Sequence, residues 1–180
     1  MQHIILTGRN GVGTSTLIQA LIDQIPVPIS GVITKKEAPN GDGFSPVYIH
    51  AYGSERFYSE ENRIGLCREG KSVPFPAAFD RFAEQMDLSF DGVIVLDELG
   101  FMESKASAFT GKILRLMDEA PLILAAVRDK DTPFLNALRT HPRADVYRID
   151  EQNRDALREQ LSEALPRYLN GAFPSSSSEN

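Results

Sequence analysis

The feature that most constrains this chain lies at its start. The apolar run Ile4-Ile5-Leu6-Thr7 stops at Gly8, glycines recur at Gly11 and Gly13, and apolar residues then return at Leu17, Ile18, Leu21, Ile22 and Ile25. The pattern changes within a few residues from a continuous strand-like run to the three-and-four spacing of an amphipathic helix. A strand over Ile4–Thr7 must therefore pass through a glycine turn directly into a helix, read as Ser15–Ile25.

Pro26 and Pro28 end that helix, Ile29–Thr34 reads as a second strand, and 38–42 as a polar turn centred on Asn40-Gly41, which predicts a hairpin over Ile29–Ile49. Between Ala51 and Val73 charges are mixed and apolar periodicity is weak, so the expectation is an irregular, partly strand-forming excursion across one face. Helices are then predicted at Pro76–Met86, Ser107–Asp118, Phe134–Arg139 and Asn153–Leu165, and strands at Gly92–Leu96, Leu122–Val127 and Asp145–Ile149. Strands alternating with helices, in short apolar runs suited to burial on both faces, predict a three-layer α/β domain with a mostly parallel central sheet flanked by helices. One domain over 1–170 is expected, with a flexible tail from Gly171 to Asn180.

Composition removes several function classes. Nineteen Lys and Arg against twenty-five Asp and Glu leave a net charge of −6, which offers no electrostatic footprint for nucleic acid or anionic membrane. Cys67 is the only cysteine, so no intrachain disulfide and no zinc framework forms, and it reads as a small packed residue. His3, His50 and His141 lack metal-ligand spacing. With no basic leader before the first strand and no apolar run near the roughly 20 residues of a membrane span, a cytoplasmic location is expected, without membrane or nucleic-acid partners.

The turn itself reads Gly8-Arg9-Asn10-Gly11-Val12-Gly13-Thr14-Ser15-Thr16. It has the spacing of the phosphate-binding loop GxxxxGK(S/T), set between a strand and a helix as that mechanism demands. Glycines let the backbone N–H groups and the helix N-terminus face phosphate oxygens, and Ser15 offers a hydroxyl to Mg²⁺. Thr14 stands where the pattern has lysine. A second signal is Gly92-Val93-Ile94-Val95-Leu96-Asp97-Glu98, a strand delivering two adjacent carboxylates to the sheet edge. There Asp97 suits the metal side and Glu98 the activation of a water, in the manner of a Walker B strand with a catalytic glutamate.

Four segments together, GRNGVGTSTL from Gly8, GVITKKE from Gly31, VIVLDELGFME from Val93 and Asn153-Arg154-Asp155, resemble the THEP1-type nucleoside-triphosphatase family of P-loop proteins. The resemblance spans Met1 to Leu161, and its most specific parts are Asp97 to Glu103 and the Asn-Arg-Asp opening the last helix. It implies a P-loop NTPase fold and Mg²⁺-dependent hydrolysis of ATP, GTP and related nucleotides. Position by position it implies phosphate binding by Gly8 through Thr16, magnesium at Ser15 and Asp97, and water activation by Glu98.

Thr14 departs from that pattern. Losing one charge-assisted contact to phosphate costs roughly 1.5–3 kcal/mol, about ten- to a hundredfold in affinity or rate. Arg9, Lys35, Lys36 and Arg128 are the nearest substitutes by topology, with Arg128 favoured because it follows a strand C-terminus, where ligands bind in such sheets. Asn153 and Arg154 follow the last strand and are candidates for base contacts, while Asn153 equally suits a helix cap. Met102 and Glu103 either line the site or begin the next helix. Three functions follow: a nucleoside triphosphatase slowed by the missing lysine, a non-catalytic nucleotide- or anion-binding module that controls a partner protein, and a small-molecule or nucleotide kinase. Arg56, Arg63 and Arg68 are too scattered among acids to read as a kinase lid.

Overall fold

The computed structural model describes residues 2–69, 71–86 and 91–174. Its centre is one eight-stranded sheet formed by β1 (His3–Gly8), β2 (Ile29–Lys36), β3 (Ser45–Ala51), β4 (Arg63–Arg68), β5 (Lys71–Pro74), β6 (Val93–Leu99), β7 (Leu122–Arg128) and β8 (Ala144–Ile149). The strand order is β5-β4-β3-β2-β6-β7-β1-β8. The run β2-β6-β7-β1-β8 pairs in parallel, and β3, β4 and β5 extend it as an antiparallel meander. The mostly parallel α/β architecture expected from the alternation is present.

Helices α2 (Pro76–Gln85), α3 (Ser107–Glu119) and α4 (Pro133–Arg139) cover one face, packing Phe79, Phe109 and Leu135 against Ile94, Leu96 and Ile123. Helices α1 (Thr14–Ile22) and α5 (Arg154–Ala172) cover the other, packing Leu17, Leu21 and Leu161 against Ile4, Leu6 and Leu124. β1, β6 and β7 are thus apolar on both faces, which is why they read as unbroken runs.

Three differences from the sequence reading have physical causes. Helix α1 stops at Ile22, because Gln24 and Ile25 already bond back three residues as the chain tightens toward Pro26. Arg63–Arg68 and Lys71–Pro74 form β4 and β5 in the plane of the sheet instead of crossing a face; β4 mixes buried and half-buried residues without alternation and β5 is only four residues long, which leaves little periodicity to detect. Helix α5 continues through Pro166 to Ala172, where the sequence suggested a stop at Leu165. Proline removes one helical bond, but Tyr168, Leu169 and Ala172 pack beyond it against the core. Gly171 and Ala172, expected in the tail, are therefore helical, whereas 175–180 lie outside the described residues. Among the described residues no helix is long and apolar enough to cross a membrane.

Candidate active site

The parallel strands all point their C-terminal ends to one edge, where the glycine loop lies. Gly8 has no room for a side chain: a Cβ there would stand 2.7 Å from both Cγ2 and the carbonyl oxygen of Ile149 on β8. Gly13, at φ +101°, makes the left-handed step that turns the loop into α1. No side chain caps that helix and no acid occupies its first turn, so its N-terminal N–H groups face the loop unneutralised. Thr14 and Ser15 open the helix, and Arg154, at the start of α5, passes with Cδ 3.9 Å from where a Cβ on Gly13 would be.

The paired carboxylates stand two strands away, with β7 between β1 and β6. Both lie inside β6, which runs to Leu99, and its register against β7 shifts between Leu96 and Leu99 where they occur. Ser15 Oγ donates to Asp97 Oδ1 over 2.8 Å, so the hydroxyl of the loop and the carboxylate of the distant strand meet. Burial pushes the Asp97 carboxyl above its usual range, the Ser15 bond opposes that, and the charge of Glu98 adds to it.

Arg128, at the end of the intervening strand, holds Glu98 with both forks of its guanidinium: Nε lies 2.6 Å from Oε1, and an η-nitrogen donates to Oε2 over 3.2 Å. About a third of each side chain remains accessible (33% and 29%), so a ligand can reach the pair. The carbonyl of Arg128 accepts from the Arg139 guanidinium over 2.7 Å, which fixes the backbone under this residue.

Glu103 was only half legible. It belongs to a short 3₁₀ helix, Met102–Lys105, separate from α3, and it is 3% exposed. Its Oε1 accepts from the Gly100 N–H over 3.0 Å, and its Oε2 has no partner. Burial lifts its pKa from 4.5 to about 7 against the opposing backbone bonds, with Glu98 raising it further and Arg128 lowering it. Glu98, Glu103, Met102 and Arg128 line one small cavity of about 140 Å³. A solvent-facing acid at a helix start and a buried one look alike in sequence, so only the packing of this loop identifies it.

The remaining candidates separate. Lys36 lines a cleft of about 720 Å³ together with Gly8, Arg9, Asn10, Glu98 and Arg128. Lys35 lies on the opposite face of β2, since neighbouring strand residues alternate. Asn153 holds the helix-start position, yet its amide does not cap: Oδ1 accepts from Asp150 N–H and Nδ2 donates to the Arg148 carbonyl, each over 2.9 Å. Both of its groups are thus committed to shaping the turn before α5. Cys67 is half-buried with Sγ 3.4 Å from Ser72 Oγ.

A parallel sheet whose first strand runs through a glycine loop into a helix, with a loop hydroxyl bonded to a carboxylate from another strand, defines a P-loop nucleotide-binding protein. The family model described as NTPase matches residues 3–162, and the chain belongs to that NTPase family. It is 26% identical over 177 residues to the nucleoside-triphosphatase THEP1 of Natranaerobius thermophilus, covering 93% of this chain and 98% of that protein. It is likewise 26% identical over 184 residues to the THEP1 of Methanopyrus kandleri, covering 93% and 97%. The fold matches the crystal structure of THEP1 from Aquifex aeolicus with a TM-score of 0.60 at 21% identity, covering 91% of this chain and 99% of that one. It also matches the solution structure of a human cancer-related nucleoside triphosphatase, with a TM-score of 0.61 at 24% identity, covering 93% and 98%. The resemblance read from the sequence motifs is the family that these matches show.

Proposed function

We propose that this NTPase family member binds a nucleoside triphosphate, ATP or GTP, with its phosphates in the loop Gly8 to Thr16 and hydrolyses the terminal phosphoanhydride. The observation that carries the reading is the 2.8 Å contact between Ser15 Oγ and Asp97 Oδ1. A hydroxyl and a carboxylate brought together beside a phosphate loop are the oxygen donors that suit Mg²⁺, which binds such sites through few protein oxygens and the substrate phosphates. Bound there, Mg²⁺ would neutralise phosphate charge. A chain whose only cysteine is unpaired also suits a reducing, cytoplasmic setting.

Glu98 is the candidate base. As water oxygen bonds to the γ-phosphorus and the bridge to the β-phosphate breaks, the proton of the water passes to the Glu98 carboxylate. Arg128 orients Glu98 and brings the positive charge that Thr14 does not supply, with Lys36 beside it in the same cleft. Arg154 lies against the loop and is the better candidate of the Asn153–Arg154 pair for contacting nucleotide, because the Asn153 amide is already engaged.

Phosphate release from ATP and GTP with Mg²⁺ tests this. Glu98→Gln should keep nucleotide affinity and lower turnover at least about a hundredfold, the usual worth of a general base. Thr14→Lys should raise turnover about tenfold or more. Unchanged release by Glu98→Gln would remove Glu98 from the reaction. The bidentate hold of Arg128 on Glu98 and the absence of the loop lysine also favour a second reading, a nucleotide-binding regulatory module. Nucleotide binding with no phosphate release from either the parent or Thr14→Lys would select it.

A further inference from the structure

We propose that the cleft between the glycine loop and the β4–β5 hairpin seats a second ligand beside the nucleotide, a phosphate-bearing small molecule held by Arg68 and Lys71 with its body against Phe101. This rests on the nucleotide reading above and adds a ligand to it.

The cleft of about 720 Å³ runs continuously from Gly8 and Arg9 to Arg68 and Lys71. Six cationic side chains from four segments line it, Arg9, Lys36, Arg68 with Lys71, and Arg128 with Lys130, in a chain whose net charge is −6. The acids there are mostly engaged: Glu98 is held by Arg128, and Asp129 accepts from Arg148 over 2.7 Å, leaving Glu69. Positive charge gathered in a concave site concentrates anions.

The nucleotide accounts for only part of this charge. β4 stands three strands from β6 in the sheet order, about 14 Å at an interstrand spacing of about 4.8 Å. A terminal phosphate held between Ser15 and Glu98 therefore leaves Arg68 and Lys71, two cations with Glu69 as the one unengaged acid beside them, out of its reach. Those two residues face each other directly across the β4–β5 pair, and like charges in that position oppose strand pairing. A phosphate between them converts the repulsion into two charge-assisted bonds.

The site is also shaped in advance. One η-nitrogen of Arg68 donates to the Asp42 carbonyl over 3.3 Å, and its guanidinium lies 5.4 Å from the centroid of the Phe44 ring. Its direction is thereby set while other N–H groups remain for a ligand. Phe101, 38% exposed, lines the same cleft and presents an apolar surface to the body of the molecule.

Two successive calorimetric titrations on the full chain test the proposal, the first with a non-hydrolysable ATP analogue and Mg²⁺, the second with phenyl phosphate in the millimolar range on the loaded protein. One equivalent of phenyl phosphate should bind. Arg68→Ala and Lys71→Ala should each weaken it about tenfold, with analogue affinity unchanged. Phe101→Ala should bring phenyl phosphate down to the affinity of inorganic phosphate. Analogue binding without phenyl phosphate binding would overturn this proposal alone, as would equal affinity for phenyl phosphate in the parent and the Arg68→Ala/Lys71→Ala double variant. Failure of the analogue to bind would overturn the nucleotide reading and this one with it.

Discussion

Glu103 shows what one buried side chain adds to this site. Its folded pKa is raised above the unfolded value, so the folded state holds its proton more tightly. The resulting stability is complete below pH 4.5 and is lost as pH rises through about 7, where an uncompensated buried carboxylate must form. The two values set the span at about 3 kcal/mol. Glu103→Gln should therefore resist denaturant better than the parent at pH 8 and match it near pH 4. Parallel unfolding midpoints across that range would refute the assignment. Gly8 was legible as a residue type within a motif, but its reason, the approach of Ile149, 141 residues later on β8, was not. Arg128 likewise was expected at the site by topology, while its bidentate hold on Glu98 depends on side-chain geometry that spacing does not encode.

At the scale of elements, the last helix is the instructive case. Its periodicity is diluted and Pro166 interrupts it, so the sequence suggests an early end. Tertiary contacts extend it. Tyr168 donates to Asp145 Oδ2 over 2.6 Å and meets the Tyr147 hydroxyl at 2.7 Å, pinning the final turns to β8; burial and then the Asp145 bond push the Tyr168 phenol strongly upward. Tyr168→Phe should cost about 1 kcal/mol, read as a lowered thermal midpoint, and should increase hydrogen exchange in 166–172 more than in the first turns of α5. Equal exchange along the whole helix would mean that these bonds do not hold its end. β4 and β5 follow the same rule from the opposite direction: four to six residues with mixed polarity pair because β3 offers an edge, and pairing partners are not a local property.

Across the whole molecule, His3 makes a distinct contribution to acid sensitivity. His3 on β1 accepts from the Ile123 N–H at Nδ1 over 3.1 Å, which leaves the proton on Nε2 to bond the Met117 carbonyl over 2.9 Å. The ring joins β1 to β7 and to the end of α3, and burial lowers its pKa to about 4. Because the folded pKa lies below the unfolded 6.5, stability is full above 6.5 and falls as pH drops toward 4. His3→Gln, which can accept and donate in the same places without titrating, should flatten that limb of the pH–stability curve by about 3 kcal/mol. A limb of unchanged slope would assign acid sensitivity elsewhere.

The alternation of apolar runs with helical spacing, together with the glycine loop, was enough to determine the layered α/β architecture and the sheet edge on which the glycine loop lies. Those depend on local periodicity and on turns that only glycine allows, and both are written in consecutive residues. Tertiary structure alone decided that Ser15 reaches Asp97 across an intervening strand, that Arg128 grips Glu98, that Glu103 is buried and that Arg68 faces Lys71. Each of these joins residues from different elements, and the energies that select such pairs, burial, charge and close packing, act between positions that sequence order keeps apart.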